Sequence, residues 1–225
     1  MQQHLTIVTG HYGSGKTEFA VNLAFRLAEA GNRVLLADLD IVNPYFCSRE
    51  KKDALAAAGI RLIASAMSGM DMPAINPEVY ALLESGVCGI MDVGGDAVGA
   101  LVLGRYAAKI QQIEHEMLCV VNFNRPETNT VDKAEQYLRQ IEYSAKLTVT
   151  GLVGNTHLLG ETTAGDVMRA AEKLDSLARR TGIAVKYHAF DARLTGSVDL
   201  PEPLQFPMRF YMGKPWESEI ESEKE

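Results

Sequence analysis

Eight consecutive residues constrain this chain more than any other feature. Gly10-His11-Tyr12-Gly13-Ser14-Gly15-Lys16-Thr17 matches the pattern G-x-x-x-x-G-K-[ST]. Its surroundings suit the pattern. Before it, Leu5-Thr6-Ile7-Val8-Thr9 is a short apolar, β-branched run that reads as a strand. After it, Phe19, Ala20, Leu23, Ala24 and Leu27 recur at helical spacing between Thr17 and Ala30, and Gly31 supplies a stop. In such a strand–turn–helix unit Gly13 and Gly15 let consecutive N–H groups point inward, as an anion requires. The helix starting near Lys16 adds the positive end of its dipole. All eight residues, His11 and Tyr12 included, are therefore expected to line a nucleotide. Lys16 is expected to neutralise its β- and γ-phosphates, and the Thr17 hydroxyl to ligate Mg²⁺. The alternative is a glycine-rich turn that binds nothing.

The rest of the chain repeats the rhythm of that unit. Strand-like runs at Val34–Ala37, Arg61–Ala64, Val87–Met91, Met117–Val121, Leu147–Val153 and Ile183–Phe190 alternate with helical patterns. The helices are expected over Arg49–Ala58, Glu78–Glu84, Ala97 to about His115, Val131–Ala145 and Ala164–Thr181. Continuous rather than alternating hydrophobicity in the strands is what a sheet buried on both faces demands. The expected fold is α/β, a mostly parallel sheet of about seven strands with helices on both faces. Neither an internal repeat nor a linker divides the chain, so residues 1–216 are read as one domain. Residues 217–225 are acidic and apolar-poor and are expected to be a disordered tail.

Magnesium chemistry needs carboxylates near the phosphates, and strand ends are where open α/β sheets bind ligands. Asp92 closes the run Val87–Met91 and opens Asp92-Val93-Gly94-Gly95. Asp92 is expected at the metal, and the Gly95 N–H is expected to sense a γ-phosphate; a turn with a local aspartate cap is the alternative. Asp38 and Asp40 follow Val34–Ala37, and alternate residues at a strand end point the same way. Asp38 is expected to orient metal-bound water and Asp40 to position the attacking water. A structural role remains the other reading for each.

Composition narrows the partners. The chain of 225 residues is 47% hydrophobic and 23% charged, as in ordinary globular proteins, and its net charge of −7 argues against nucleic acid as the main partner. Its three cysteines, Cys47, Cys88 and Cys119, form no zinc pattern or disulfide framework, which fits a reducing cytoplasm. Cys88 and Cys119 read as core residues. Neither a signal peptide nor a membrane span is visible. The scattered His4, His115, His157 and His188 suggest no structural metal site.

Taken together, these residues resemble the MinD/ParA/Mrp-type (SIMIBI class) P-loop ATPases, a group that includes metallocentre-maturation enzymes of the CooC branch. The resemblance spans about residues 4 to 190. It rests on Gly10–Thr17, on Asp38-Leu39-Asp40 as a switch I-like segment and on Asp92–Gly95 as a switch II-like one. Two weaker segments add to it: Asn124-Arg125-Pro126-Glu127-Thr128, similar to the group's Asn-Pro-Glu segment, and Gly151–Asn155, whose Asn155 resembles the base-contacting asparagine. The resemblance implies ATP and Mg²⁺ as cofactors, a P-loop NTPase fold, and hydrolysis that switches a protein client. It also implies a nucleotide-dependent homodimer. One departure touches that last expectation: the group's signature lysine is replaced by His11, followed by Tyr12, and local packing of both is the competing reading. Competing functions on the same scaffold are a small-molecule kinase or dethiobiotin synthetase-like ligase, and a nucleotide-sensing module without turnover.

Overall fold

The computed structural model describes residues 4–39, 52–64, 77–84, 86–95, 97–158 and 160–211. Asp40, the first residues of the helix expected from Arg49, and the tail from 217 to 225 lie outside the described residues, so the expectations placed on them are not addressed by the structure.

The strands are β1 (His4–Gly10), β2 (Val34–Asp38), β3 (Arg61–Ala64), β4 (Cys88–Asp92), β5 (His115–Val121), β6 (Gly151–Gly154), β7 (Val185–Asp191) and β8 (Gln205–Met208). Among the described residues these strands form one eight-stranded sheet in the order β3-β2-β4-β1-β5-β6-β7-β8, with every pairing parallel. Helices α1 (Lys16–Glu29), α2 (Lys52–Ala57), α3 (Ala97–Gly104), α4 (Ala107–Ile110), α5 (Val131–Ala145) and α6 (Ala164–Thr181) connect them, with a 3₁₀ helix at Pro77–Leu83.

Alternation along the strands divides the core into two layers. Leu5 and Ile7 of β1, Leu35 and Ala37 of β2, and Met117, Cys119 and Val121 of β5 pack with Leu103, Leu138, Ile141, Leu174 and Leu177 from α3, α5 and α6. Their neighbours Val8, Val34, Leu36, Leu118 and Val120 face the other way, onto Phe19, Ala20, Leu23 and Ala24 of α1 and Leu55 of α2. Period-two side-chain placement on a sheet covered on both sides explains why these strands are apolar throughout.

Two helices carry clear start signals. Thr130 caps α5 by accepting the Lys133 N–H, and Thr163 and Asp166 form a reciprocal capping box on α6.

Three expectations need correction. The sheet has eight strands, because Gln205–Met208 pairs with β7 at the edge; Pro207 is tolerated there since an edge strand need not donate on both sides. The long helix expected from Ala97 to His115 is instead α3, a turn and the short α4, and His115 already belongs to β5. At the break, a Cβ on Gly104 would stand 3.1 Å from the Ser144 carbonyl, so the end of α3 lies close against α5. Finally, the strands expected to begin at Leu147 and Ile183 begin at Gly151 and Val185, after buried or half-buried lead-in residues.

Candidate nucleotide-binding site

Parallel strands deliver their C-terminal ends to one edge. In register, Asp38 lies opposite Asp92, Val8 opposite Asp92, Gly10 opposite Val120, and Val121 opposite Gly154. The loop after β1 is therefore flanked by two aspartates on its β4–β2 side and by the segments after β5 and β6 on its other side. The strand order turns here, because β1 connects to β2 on one side whereas β4 connects past β1 to β5 on the other, and open α/β sheets bind ligands at such a point.

The loop itself turns as its glycines allow. Gly13 has φ 72° and Gly15 φ 83°, both in the left-handed region, and Gly15 occupies the N-cap of α1. The first helical bond runs from Phe19 N–H to the Gly15 carbonyl at 3.0 Å. Of the N–H groups ahead of it, that of Ser14 donates to the His11 carbonyl at 3.0 Å, while those of the first helical turn have no intrahelical carbonyl to meet and suit an anion. There is no room for side chains at these turns. A Cβ on Gly10 would lie 2.2 Å from the Val120 carbonyl oxygen, and one on Gly15 the same distance from Asn155 Nδ2.

The outward carbonyls of the loop are held from β5 and β6. Asn122 Nδ2 and Arg125 Nε donate to the Gly13 carbonyl at 3.3 and 2.9 Å, and Asn155 Nδ2 donates to that of Ser14 at 2.8 Å. Asn122 and Asn155 are buried, and the Asn122 Oδ1 accepts the Asn124 N–H at 2.9 Å. Sequence reasoning anticipated Asn155 at the site, though as a base contact; one of its amide protons is engaged with the loop. It assigned no role to Asn122, Arg125 or His157. The half-buried ring of His157 lies beside Gly15, its Nε2 being 3.4 Å from where a Cβ would stand. Burial, followed by the nearby Arg125 charge, pulls its pKa down to about 4, so His157 is neutral at pH 7.

Lys16 is buried at 6% exposure, and Gly95 lies against it. A Cβ on Gly95 would meet Lys16 Nζ at 2.7 Å, the Gly10 carbonyl oxygen at 2.6 Å and the Tyr12 nitrogen at 2.7 Å. The segment after Asp92 therefore closes directly onto the loop. Asp38 and Asp92 are buried side by side at the ends of β2 and β4.

His11 and Tyr12 behave differently from the rest of the loop. The His11 ring meets Tyr137 of α5 edge-on at 4.6 Å, and its Nδ1–H donates to the Tyr12 carbonyl at 2.7 Å. Tyr12 is 59% exposed. Of the two readings for this pair, packing within the same chain describes the geometry of His11.

Comparison with known proteins addresses the family and the fold. A family model described as the CobQ/CobB/MinD/ParA nucleotide binding domain matches residues 5–166, more than half of the chain. The chain belongs to that family. Among curated proteins no match was found. Among solved structures, this CobQ/CobB/MinD/ParA domain is similar to the cell division protein FtsY of Thermotoga maritima, with a TM-score of 0.56 and 21% identity over 84% of this chain and 62% of that one. FtsY of Mycoplasma mycoides gives a TM-score of 0.59 at 18% identity over 84% and 60% of the two chains. The signal recognition particle 54 kDa protein of Aeropyrum pernix, in complex with GDP, gives 0.55 at 20% identity over 83% and 41%. At these identities the likeness establishes the fold alone, and the chain spans about three-fifths of the length of the FtsY structures.

The residues of this nucleotide-binding domain fit a magnesium–nucleotide pair. The Ser14 hydroxyl is buried with no hydrogen-bond partner among the described residues, and phosphate oxygens at the loop are acceptors for such a proton. Three hard oxygen donors, the Thr17 hydroxyl and the Asp38 and Asp92 carboxylates, are of the type magnesium takes when phosphate and water complete its shell. No helix among the described residues is long and apolar enough to cross a membrane.

Proposed function

We propose that the chain is a Mg²⁺-dependent ATPase that converts ATP to ADP and phosphate and thereby switches the conformation of a protein client. The observation that carries this reading is the contact of Gly95 with the phosphate loop and Lys16, beside the paired Asp38 and Asp92. A ligand that draws Lys16 to its phosphates acts directly on the segment that closes over it. A γ-phosphate at this point orders that segment, and its loss relaxes it.

In this reading the loop N–H groups and Lys16 bind and orient the triphosphate. Magnesium, held by Thr17, Asp38 and Asp92, supplies neutralisation of phosphate charge. Asp40 positions water for in-line attack on the γ-phosphorus; the new P–O bond forms as the bond to the β–γ bridging oxygen breaks, and the water proton passes to the released phosphate. Catalysis is then mainly positioning and charge stabilisation. The lysine that a partner subunit contributes in the resembling group has no counterpart at His11, whose ring is held on Tyr137. A homodimer formed on ATP is accordingly proposed to serve the client rather than to complete the phosphate site.

Adenine is favoured over guanine by the segment after β6. The residue three positions beyond Asn155 is Leu158, at 52% exposure. An apolar side chain there offers no acceptor for guanine N1–H and its exocyclic amine, whereas an amide such as Asn155 suits adenine's donor–acceptor edge. GTP is the second reading, since the similar 54 kDa particle protein is described in complex with GDP.

The test is calorimetry with Mg·ATP and Mg·GTP, followed by phosphate release. Wild type is expected to bind ATP more tightly, Lys16→Ala to lose binding or turnover, and Asp40→Ala to bind ATP without hydrolysing it. Equal hydrolysis by wild type and Asp40→Ala refutes the role of Asp40. Turnover that appears only with a phosphate-accepting metabolite replaces the hydrolase reading with a kinase or ligase.

A further inference from the structure

Arg125 occupies an unusual position for a surface arginine. It follows β5 in the turn Asn122–Thr128, which is pinned by the Thr128 hydroxyl donating to the Asn122 carbonyl at 2.6 Å and by the Arg125 N–H donating to the same carbonyl at 3.3 Å. Its guanidinium lies along the outer side of the phosphate loop: Nε donates to the Gly13 carbonyl, and Nε, Cζ and an Nη come within 2.8 to 3.1 Å of where a Gly13 Cβ would stand. Only a glycine at 13 permits that approach. Arg125 is exposed, and among the described residues no carboxylate forms an ion pair with it.

Sheet order decides which part of a nucleotide this group faces. Asp38 and Asp92, suited to metal and γ-phosphate, lie on the β4–β2 side of β1. On the opposite side, β5 and β6 bring Arg125, Asn155 and His157 together around Gly13, Ser14 and Gly15. A triphosphate running from the carboxylates across the loop leaves its nucleoside on that second side, where the protein presents amides, a neutral imidazole and a flat cation in place of carboxylates. With its Nε fixed, the guanidinium offers a planar face, and planar cations stack well on purine rings.

We propose that Arg125 is a nucleoside clamp, laying its guanidinium plane on the purine of the bound nucleotide, and is not a phosphate ligand. The proposal rests on the nucleotide reading of the site and deepens it: base affinity comes from a residue of the β5–α5 loop, braced by the same carbonyl that shapes the phosphate loop. The hydrogen bond to Gly13 makes the two functions share one anchor.

The experiment compares two probes, Mg·ADP and Mg·tripolyphosphate, by calorimetry on the full chain. Arg125→Ala is expected to bind ADP about tenfold more weakly, the scale of a desolvated cation–π contact, and tripolyphosphate as wild type does. Arg125→Lys keeps the charge and a donor but lacks the plane, so it is expected to remain weak for ADP. Equal loss of both probes in Arg125→Ala, restored by Arg125→Lys, overturns the proposal in favour of a phosphate or loop-bracing role. Unchanged ADP binding by Arg125→Ala overturns it outright. A wild-type chain that binds neither probe refutes the nucleotide reading itself, a failure distinct from that of Arg125 alone.

Discussion

Replacing Gly95 with alanine tests the closure of the Asp92–Gly95 segment on the phosphate loop with the smallest possible change. The added methyl would sit 2.6 Å from the Gly10 oxygen, 2.7 Å from the Tyr12 nitrogen and 2.7 Å from Lys16 Nζ, whereas ordinary contact begins near 3.4 Å. The segment must therefore retreat by about 0.7–0.8 Å from two backbone atoms that belong to a tightly turned loop. Lys16 can swing aside; Gly10 and Tyr12 cannot, because Gly10 abuts β5 in turn. Overpacking of this kind costs about 1–3 kcal/mol. For a chain of this length each kcal/mol lowers Tm by about 2–4 °C, so thermal unfolding should fall by about 2–12 °C. Gly160→Ala is the matched control: nothing lies within 4 Å of its Cβ position, and its effect should stay within about 0.5 kcal/mol. Calorimetry of Mg·ATP on the same samples should show weaker binding by Gly95→Ala and none of that loss in the control. A Gly95→Ala chain that melts with wild type while the control is silent refutes the packing argument, and with it the direct contact between the Asp92–Gly95 segment and the loop.

Other expectations follow from single residues. Asn155→Ala removes a buried donor from the Ser14 carbonyl and should cost about 1–3 kcal/mol by urea unfolding, with weaker nucleotide binding alongside. His157 has a folded pKa near 4 against 6.5 in the unfolded chain, so between those values the unfolded state binds more protons. Its contribution is complete above pH 6.5 and is lost as pH falls toward 4, up to about 3 kcal/mol. His157→Gln should flatten that part of the stability–pH curve relative to wild type, and parallel curves would contradict it. Cys119, buried with its thiol pushed up to about 12, should resist iodoacetamide at pH 8, while half-buried Cys88 is alkylated faster; mass spectrometry of timed samples decides.

What could be read directly from the chain was whatever lies contiguous in it. Strands β1, β2, β4 and β5 announce themselves because burial on both faces leaves no polar alternation, and α5 and α6 because one face stays wet. The capping box of Thr163 and Asp166 is likewise local, spanning four residues. Strand β8 escaped because Gln205-Phe206-Pro207-Met208 has only four residues and a proline; what makes it a strand is the remote pairing with β7 and the packing of Phe206 on Phe19 and Tyr187, with ring centroids 4.8 and 5.2 Å apart. The interruption between α3 and α4 escaped for the opposite reason. Ala97–Gly104 is apolar on every side, so no periodicity marks where it must stop against α5.

The site divides along the same line. Gly10–Thr17 was legible because phosphate binding by backbone N–H groups requires consecutive residues, and Asp38 and Asp92 because strand ends are marked by the runs before them. The role of holding the loop in shape was not: Asn155 was expected only as a base contact through the resemblance, and Asn122, Arg125 and Asn155 stand 109, 112 and 141 residues from the carbonyls they reach. Nothing in local pattern connects a turn after β5 to a carbonyl after β1; parallel register does, by setting Gly10 beside Val120 and Val121 beside Gly154. This changes how the His11 substitution should be weighed. A motif reading looks for the lost cation at the same position and finds an imidazole tied to Tyr12 and Tyr137. The folded chain brings a permanent cation, Arg125, to the loop from another strand, and sets it on the nucleoside side of the loop, away from the carboxylates. A group so placed cannot be a like-for-like replacement for a lysine directed at the phosphates, and the two should fail differently: loss of phosphate charge compensation lowers turnover and tripolyphosphate binding together, whereas loss of Arg125 leaves the tripolyphosphate unaffected and weakens only ligands that carry a base.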